Sequence, residues 1–183
     1  MADINSVITE RWSPYSFTDR TLEREELLLI LEAAKYAPSS YNEQPWRFLH
    51  ATSDDKKRFN DFLSFLADAN KVWAQYVPVL MVVLAKKLVS HTGRDNYYAL
   101  HDTGMATANM LVQATSMGVS MHIMGGFSHD AVREHLHIGE DLVPVSMIAA
   151  GYQGKNEKLA AEYSGRDKAR RSRRGLNEYL LNT

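Results

Sequence analysis

Cysteine is absent from this 183-residue chain, which excludes disulfides, a thiolate nucleophile and thiolate-held zinc or iron–sulfur clusters. A dominant charge is lacking too. With 21 basic against 22 acidic side chains the formal net charge is −1, so no overall field favours nucleic acid or an anionic membrane, and any anion site must be local. Long apolar runs are also missing: "VPVLMVVLA", from Val77 to Ala85, falls far short of the roughly 20 residues of a membrane-spanning helix. The opening "MADINSVITE" has no basic stretch followed by an apolar core and does not read as a secretory signal. The expectation is a cytoplasmic protein with neither nucleic acid nor membrane as partner.

Several chemical signatures are missing as well. The chain contains no Gly-x-Gly-x-x-Gly after a strand, no P-loop lysine motif, no Gly-x-Ser-x-Gly elbow and no His-Glu-x-x-His helix. Its seven histidines are scattered. The closest pair, His135 and His137, sits two apart on a predicted helix and points in different directions, so no metal site is expected. His101 and Asp102 are adjacent on a predicted helix and are likewise not expected to face each other.

What is present suits one domain with a sizeable core, since 45% of the residues are hydrophobic. A short first helix, capped by Asp3, ends near Trp12, and a second spans Leu22 to Tyr36 until Pro38 forbids helical geometry at Ala37. "WRFLHA", Trp46 to Ala51, alternates as a strand. Phe59, Phe62, Leu63 and Leu66 form the stripe of a third helix. The β-branched run from Val79 to Leu84 predicts a central strand buried on both faces. Tyr97 to Met117 suits a six-turn helix whose Gly104, Ala106, Ala108 and Ala114 would let another helix come close. A strand at Ser120–Ile123, a helix at Ser128–Leu136 and a last strand "PVSMIAAGY" complete a mixed α+β or α/β layered domain.

Four local features carry chemistry. In "ERWSPYSF", Arg11 and Ser13 leave a helix together, a cation and a hydroxyl able to hold a phosphate or polyol. In "APSSYNEQPW", Ser39, Ser40, Asn42 and Gln44 alternate around Tyr41, so an extended backbone would present them on one side before Trp46 anchors the core. "MGGF", Met124 to Phe127, offers glycines beside which a ligand could approach main-chain N–H groups, or simply a tight turn. "RDKARRSRRG", Arg166 to Gly175, concentrates five arginines and a lysine, suited to a compact anion rather than nucleic acid, since no aromatic is interleaved before Tyr179.

In this order the four features resemble the nitroreductase family of FMN-dependent oxidoreductases. "NKVWAQYVPVLMVV" is similar to its Asn-x-x-Trp segment and central strand, "MHIMGGFSHDAVREHL" to its flavin-edge loop, "PVSMIAAGY" to its last core strand and "RSRRGLNEYL" to its C-terminal basic motif. The resemblance implies an α+β fold, a mostly antiparallel sheet flanked by helices, in a single domain over residues 1–183. It also implies an intertwined homodimer with FMN at the interface, residues 155–183 packing on the partner and the small-residue helix at the centre of that interface.

By the same resemblance Arg11, Ser13, Arg171 and Arg173 would hold the FMN phosphate and ribityl chain, flanked by Trp12 and Tyr15. Pro38, Ser39, Ser40, Asn42 and Gln44 would reach the flavin from the other subunit, and Asn70 would bond its pyrimidine side. Ile123, Met124, Gly125 and Gly126 would border the ring, with a main-chain N–H directed at N5. No side-chain acid, base or metal is implied as catalytic. NADH or NADPH would reduce the flavin, and nitroaromatics, quinones or related electrophiles would reoxidise it in alternation. Dehalogenation, enone reduction and FMN storage or sensing are the alternatives. The chain departs from the pattern at Tyr15 and Trp73, where relatives carry cations, at Ile123, where a proline is common, and at Gly125, where several have glutamate. Tyr97 and Tyr98 are expected to line the substrate pocket.

Overall fold

A computed structural model describes residues 3–155 and 157–181. The strands are β1 (Trp46–Thr52), β2 (Val79–Lys86), β3 (Ser120–Met124) and β4 (Leu142–Gly151), joined in one sheet of order β1-β2-β4-β3. All three ladders are antiparallel. The register of β2 against β4 shifts between Val83 and Leu84, where Leu84 meets Pro144, a residue with no N–H to give to a ladder.

Seven helices surround the sheet among the described residues: α1 (Ser6–Glu10), α2 (Arg24–Ala33), α3 (Lys56–Phe65), α4 (Asp68–Ala74), α5 (Ala99–Ser116), α6 (His129–Leu136) and α7 (Ala161–Lys168). The period-2 alternation of β2 divides the interior in two. Leu80, Val82 and Leu84 pack with Phe59, Phe62, Phe65 and Trp73 of α3 and α4. Val79, Met81 and Val83 pack with Ile30 of α2 and with Ala106, Met110 and Ala114 of α5. The strand is therefore central and covered on both faces, as its unbroken apolar run predicts. The antiparallel sheet with flanking helices is the α+β arrangement expected.

Local caps decide where the elements begin. The first helix is capped by Asn5, whose side chain accepts Val7 N–H at 3.0 Å, and not by Asp3. Asn5 is the residue whose short acceptor lies within reach of that orphan donor. On α2 a reciprocal capping box links Glu23 and Glu26, and the helix closes through a tighter 3₁₀ turn at Ala34–Tyr36 before Pro38. On α5 the small residues divide. Ala106 and Ala114 face the sheet, while Gly104 and Ala108 lie on the exposed side in one stripe with Leu100 and Val112.

Candidate functional site

The chain leaves α1 at Arg11 and runs beside the C-terminal segment. Arg11 Nη1 donates to Ser13 Oγ at 3.2 Å. Two residues on, the half-buried Asp167 of α7 grips the backbone: its carboxylate accepts Tyr15 N–H at 2.7 Å and Ser16 N–H at 2.9 Å. This fork ties α7, where the basic tail begins, to the N-terminal segment. Arg166 lies over the rings of Tyr163 at 5.1 Å and Tyr15 at 5.6 Å, and Arg170 lies over Trp12 at 5.1 Å.

Between these segments opens a cavity of about 640 Å³. Arg11, Arg166, Arg171 and Arg173 line it, and no carboxylate does so among the described residues. Burial, followed by the like charges of Arg173 and Arg170, pushes Arg11 below its ordinary value. Cations gathered without counterions repel one another, so such a nest is stabilised by an anion. Trp12 also lines the cavity, and its buried Nε1–H has no acceptor among the described residues. An orphan donor beside four guanidiniums fits an oxygen-rich anionic group.

The floor is aromatic. Tyr15 meets Trp73 edge-on at 5.4 Å between ring centroids and His122 at 4.8 Å, and Trp73 lies 4.6 Å from His122. Here stand the two residues that replace cations in the resemblance. The cavity thus joins a cationic mouth to the rings of Tyr15 and His122, set edge-on to one another, with the buried Trp73 packed behind them.

The serine-rich motif is not extended. Ser40–Asn42 form a 3₁₀ turn, and Tyr41, Asn42 and Gln44 all adopt positive φ, of 52°, 57° and 46°. Local hydrogen bonds outweigh alternation here: Ser39 Oγ accepts Gln44 N–H at 3.1 Å, and Gln44 Nε2 donates to Asn42 Oδ1 at 3.1 Å. The buried Asp102, only 2% exposed, fixes the turn by accepting Ser40 N–H at 2.9 Å. It also lies 3.1 Å from His101 Nδ1. The two neighbours therefore do meet in the first turn of α5, contrary to the helical-spacing argument. Tyr41, at 93% exposure, projects from the turn.

Beyond β3, Gly126 is confined: a Cβ there would stand 3.0 Å from Asn70 Nδ2, which donates to Gly126 O at 3.0 Å. Asn70 thereby fixes the glycine turn. Gly125 is different, for a Cβ there would meet nothing within 4 Å. Six of the sixteen expected site residues are thus brought together in one chain. Arg11, Trp12, Ser13, Tyr15, Arg171 and Arg173 share the cavity, whereas Pro38, Ser39, Ser40, Asn42, Gln44, Asn70, Ile123, Met124, Gly125 and Gly126 do not line it. Tyr97 and Tyr98 also lie outside it, paired edge-on at 5.2 Å and exposed. Of the lining residues, sequence reasoning placed Arg166 in the basic stretch without naming it to the site, and missed His122. A histidine on the strand feeding the Gly-Gly turn was the signal available for the second.

The arginine nest, the aromatic floor and the glycine turn are joined by a comparison of the sequence itself: residues 8–152 match the nitroreductase family. The chain belongs to the nitroreductase family. Among its relatives is a candidate NADH dehydrogenase/NAD(P)H nitroreductase of Archaeoglobus fulgidus, 31% identical over 165 residues, covering 86% of this chain and 89% of that one. An FMN reductase (NADPH) of Bacillus subtilis is 27% identical over 177 residues, covering 85% of this chain and 69% of its own. The crystal structure of an oxidoreductase containing FMN superposes with a TM-score of 0.91 at 30% identity, covering 98% of this nitroreductase-family chain and 91% of the other.

Proposed function

We propose that this member of the nitroreductase family is an FMN-dependent NAD(P)H oxidoreductase that passes hydride equivalents to nitroaromatic, quinone or related electrophilic acceptors. The observation that carries the proposal is the cavity itself, four arginines and an orphan indole N–H beside aromatic rings, with no facing carboxylate among the described residues. Family membership and the FMN-containing relative of like fold point the same way.

In this reading Arg11, Arg171, Arg173 and Arg166 bind the phosphate through charge-assisted hydrogen bonds, and Ser13 and Trp12 meet neighbouring oxygens. Tyr15 supplies a flat wall for the ring. The open face of Gly125 leaves room at the ring edge, where main-chain N–H groups donate without titrating. Bound FMN would supply the two-electron chemistry that no side chain of this chain can. The protein binds, orients and shields, and one exposed face admits nicotinamide and acceptor in turn, which gives ping-pong kinetics.

The site is completed by a second copy. Leu100, Gly104, Ala108 and Val112 form an exposed apolar stripe on α5, and Leu176, Tyr179, Leu180 and Leu181 expose apolar side chains from the C-terminal arm. Both surfaces suit burial in a homodimer. The strained turn carrying Pro38, Ser39, Ser40, Asn42 and Gln44 would then face the partner's ring, with Asn70, Ile123, Met124 and Gly126 bordering it.

The visible spectrum of the purified protein, before and after NADH, is the test. A flavin spectrum bleached by NADH or NADPH and restored by an acceptor, with parallel double-reciprocal lines, is expected. Protein that stays colourless after incubation with FMN and desalting would overturn the reading. One observation favours a second possibility, FMN storage or sensing: aromatic Tyr15 and Trp73 occupy positions where cations would stabilise reduced flavin. Yellow protein that fails to bleach anaerobically with either nucleotide would select it.

A further inference from the structure

His122 projects from β3 into the floor of the arginine cavity. Its Nδ1 lies 2.8 Å from Pro14 O. A carbonyl oxygen only accepts, so Nδ1 carries the proton, and in the neutral ring Nε2 is a bare lone pair. The rings of Tyr15 and Trp73, at 4.8 and 4.6 Å, hold the imidazole in place. Nε2 is the nitrogen left for a ligand.

That state does not match the rest of the lining. An anion entering the cavity brings oxygen acceptors, and an Nε2 lone pair among them is a second acceptor facing the first. Burial pushes His122 below its ordinary value, and Arg11 pushes the same way, while the Pro14 carbonyl and Asp167 pull upward without reversing the direction. The other charged or titratable groups around it are Tyr15 on the N-terminal segment, Arg166 and Tyr163 of α7, and Arg171 and Arg173 of the arm. Burial above all, with a smaller push from Arg11, keeps the ring neutral until an anion arrives. An anion within a few ångströms inverts that balance.

We propose that His122 is a cofactor-binding residue whose Nε2 takes up a proton as an anionic ligand enters the cavity, turning a lone-pair acceptor into a charged donor. The inference rests on the cavity being the FMN site. The proton comes from solvent, and no covalent bond changes. Binding is then linked to pH: between the lowered value of the free protein and the raised value of the complex, affinity falls by up to tenfold per pH unit as pH rises.

The test is calorimetric titration of FMN into apoprotein at pH 7 in two buffers of different ionisation enthalpy, for the wild type and His122→Gln. The phosphate's own second ionisation, near 6, is common to both and cancels. The wild type is expected to take up a substantial fraction of a proton more than the variant, and its affinity to weaken more steeply from pH 7 to 8.5. Equal uptake and parallel pH profiles would overturn the assignment while leaving FMN binding intact. Absence of FMN binding to the wild type would instead sink the functional reading. Should His122→Gln not fold, nitrogen NMR of histidine-labelled wild type decides: one Nε2 must move from the neutral to the protonated range on adding FMN, and none moving refutes the proposal.

Discussion

Removal of the Asp167 carboxylate sets two effects of opposite sign against each other. In Asp167→Ala the amides of Tyr15 and Ser16 lose their acceptors, at 2.7 and 2.9 Å. A hydrogen bond to a charged group contributes about 1.5–3 kcal/mol. Asp167 is only half-buried and water can replace it in part, so the pair together is worth about 2–3 kcal/mol. Loss of roughly 2 kcal/mol raises the undocked population of α7 about 30-fold, read as faster hydrogen exchange of the Tyr15 and Ser16 amides and of α7. Affinity for FMN tests the sign. For a phosphate of charge about −2 taken at one Debye length, about 8 Å, from the carboxylate, removing that charge would tighten binding by about 4 kcal/mol at an effective dielectric constant of 20, or about 1.5 kcal/mol once screened. Undocking α7 displaces Arg166 and the arm, and breaking even two charge-assisted hydrogen bonds to the phosphate costs about 3 kcal/mol. Positioning therefore wins, and FMN affinity is expected to fall at least tenfold. Tighter FMN binding, or unchanged exchange of α7, would refute the view that this carboxylate places the arginines.

Arg171→Ala and Arg173→Ala should each weaken FMN binding by about 1.5–3 kcal/mol, measured by flavin fluorescence, and unchanged retention in both would remove the arm from the site. Ala at Gly126 would press on Asn70 Nδ2 at 3.0 Å and lower the free energy of unfolding by an amount on the order of 1 kcal/mol, whereas Ala at Gly125 meets nothing and should leave it unchanged. A loss of FMN affinity in Gly125→Ala without loss of stability would mark that space as the ligand's. Burial lowers His122, and burial followed by Arg58 and Arg24 lowers His50. Both bind protons more readily unfolded than folded, so their stabilisation is complete above about pH 6.5 and is lost as pH falls through their folded values. Urea midpoints of the apoprotein from pH 7.5 to 5 should therefore decline, and less steeply in His122→Gln.

The parts of the fold that were legible follow from rules acting within a few residues. The run Val79–Leu84 cannot sit half-exposed, and Pro38 cannot be preceded by helix, so β2 and the end of α2 were predictable. Two helices left no such mark, for the opposite reason. Both α4 and α7 are short, with seven and eight residues, and owe their order to tertiary contacts: Trp73 filling the core, and Asp167 gripping a segment 151 and 152 residues away in sequence. The serine-rich motif misled because alternation assumes extended backbone, whereas its short polar side chains bond their own main chain. The arginines of the cavity were readable as a charge anomaly in a neutral chain. His122 was marked only by its place on the strand feeding the Gly-Gly turn, since nothing local shows the rings it lies against.

Both halves of the proposed site depend on the same device, an aspartate that accepts main-chain N–H groups from a segment that would not hold its shape alone. Three non-glycine residues with positive φ in the turn after Ser40 cost on the order of 1 kcal/mol each, and such strain persists only where surrounding contacts over-determine it. Asp102 supplies one contact at Ser40, and Glu43 supplies another by accepting Ser90 N–H at 2.9 Å. On the other side four mutually repelling arginines are brought together by Asp167, which lies outside the cavity lining and neutralises little of it directly. A carboxylate inside the nest would have quenched the charge and competed with an anionic ligand. Placed behind it, bonded to backbone, the carboxylate sets the geometry while the uncompensated charge remains for the ligand to neutralise. Part of the stability of the C-terminal segment is thus deferred until the anion binds.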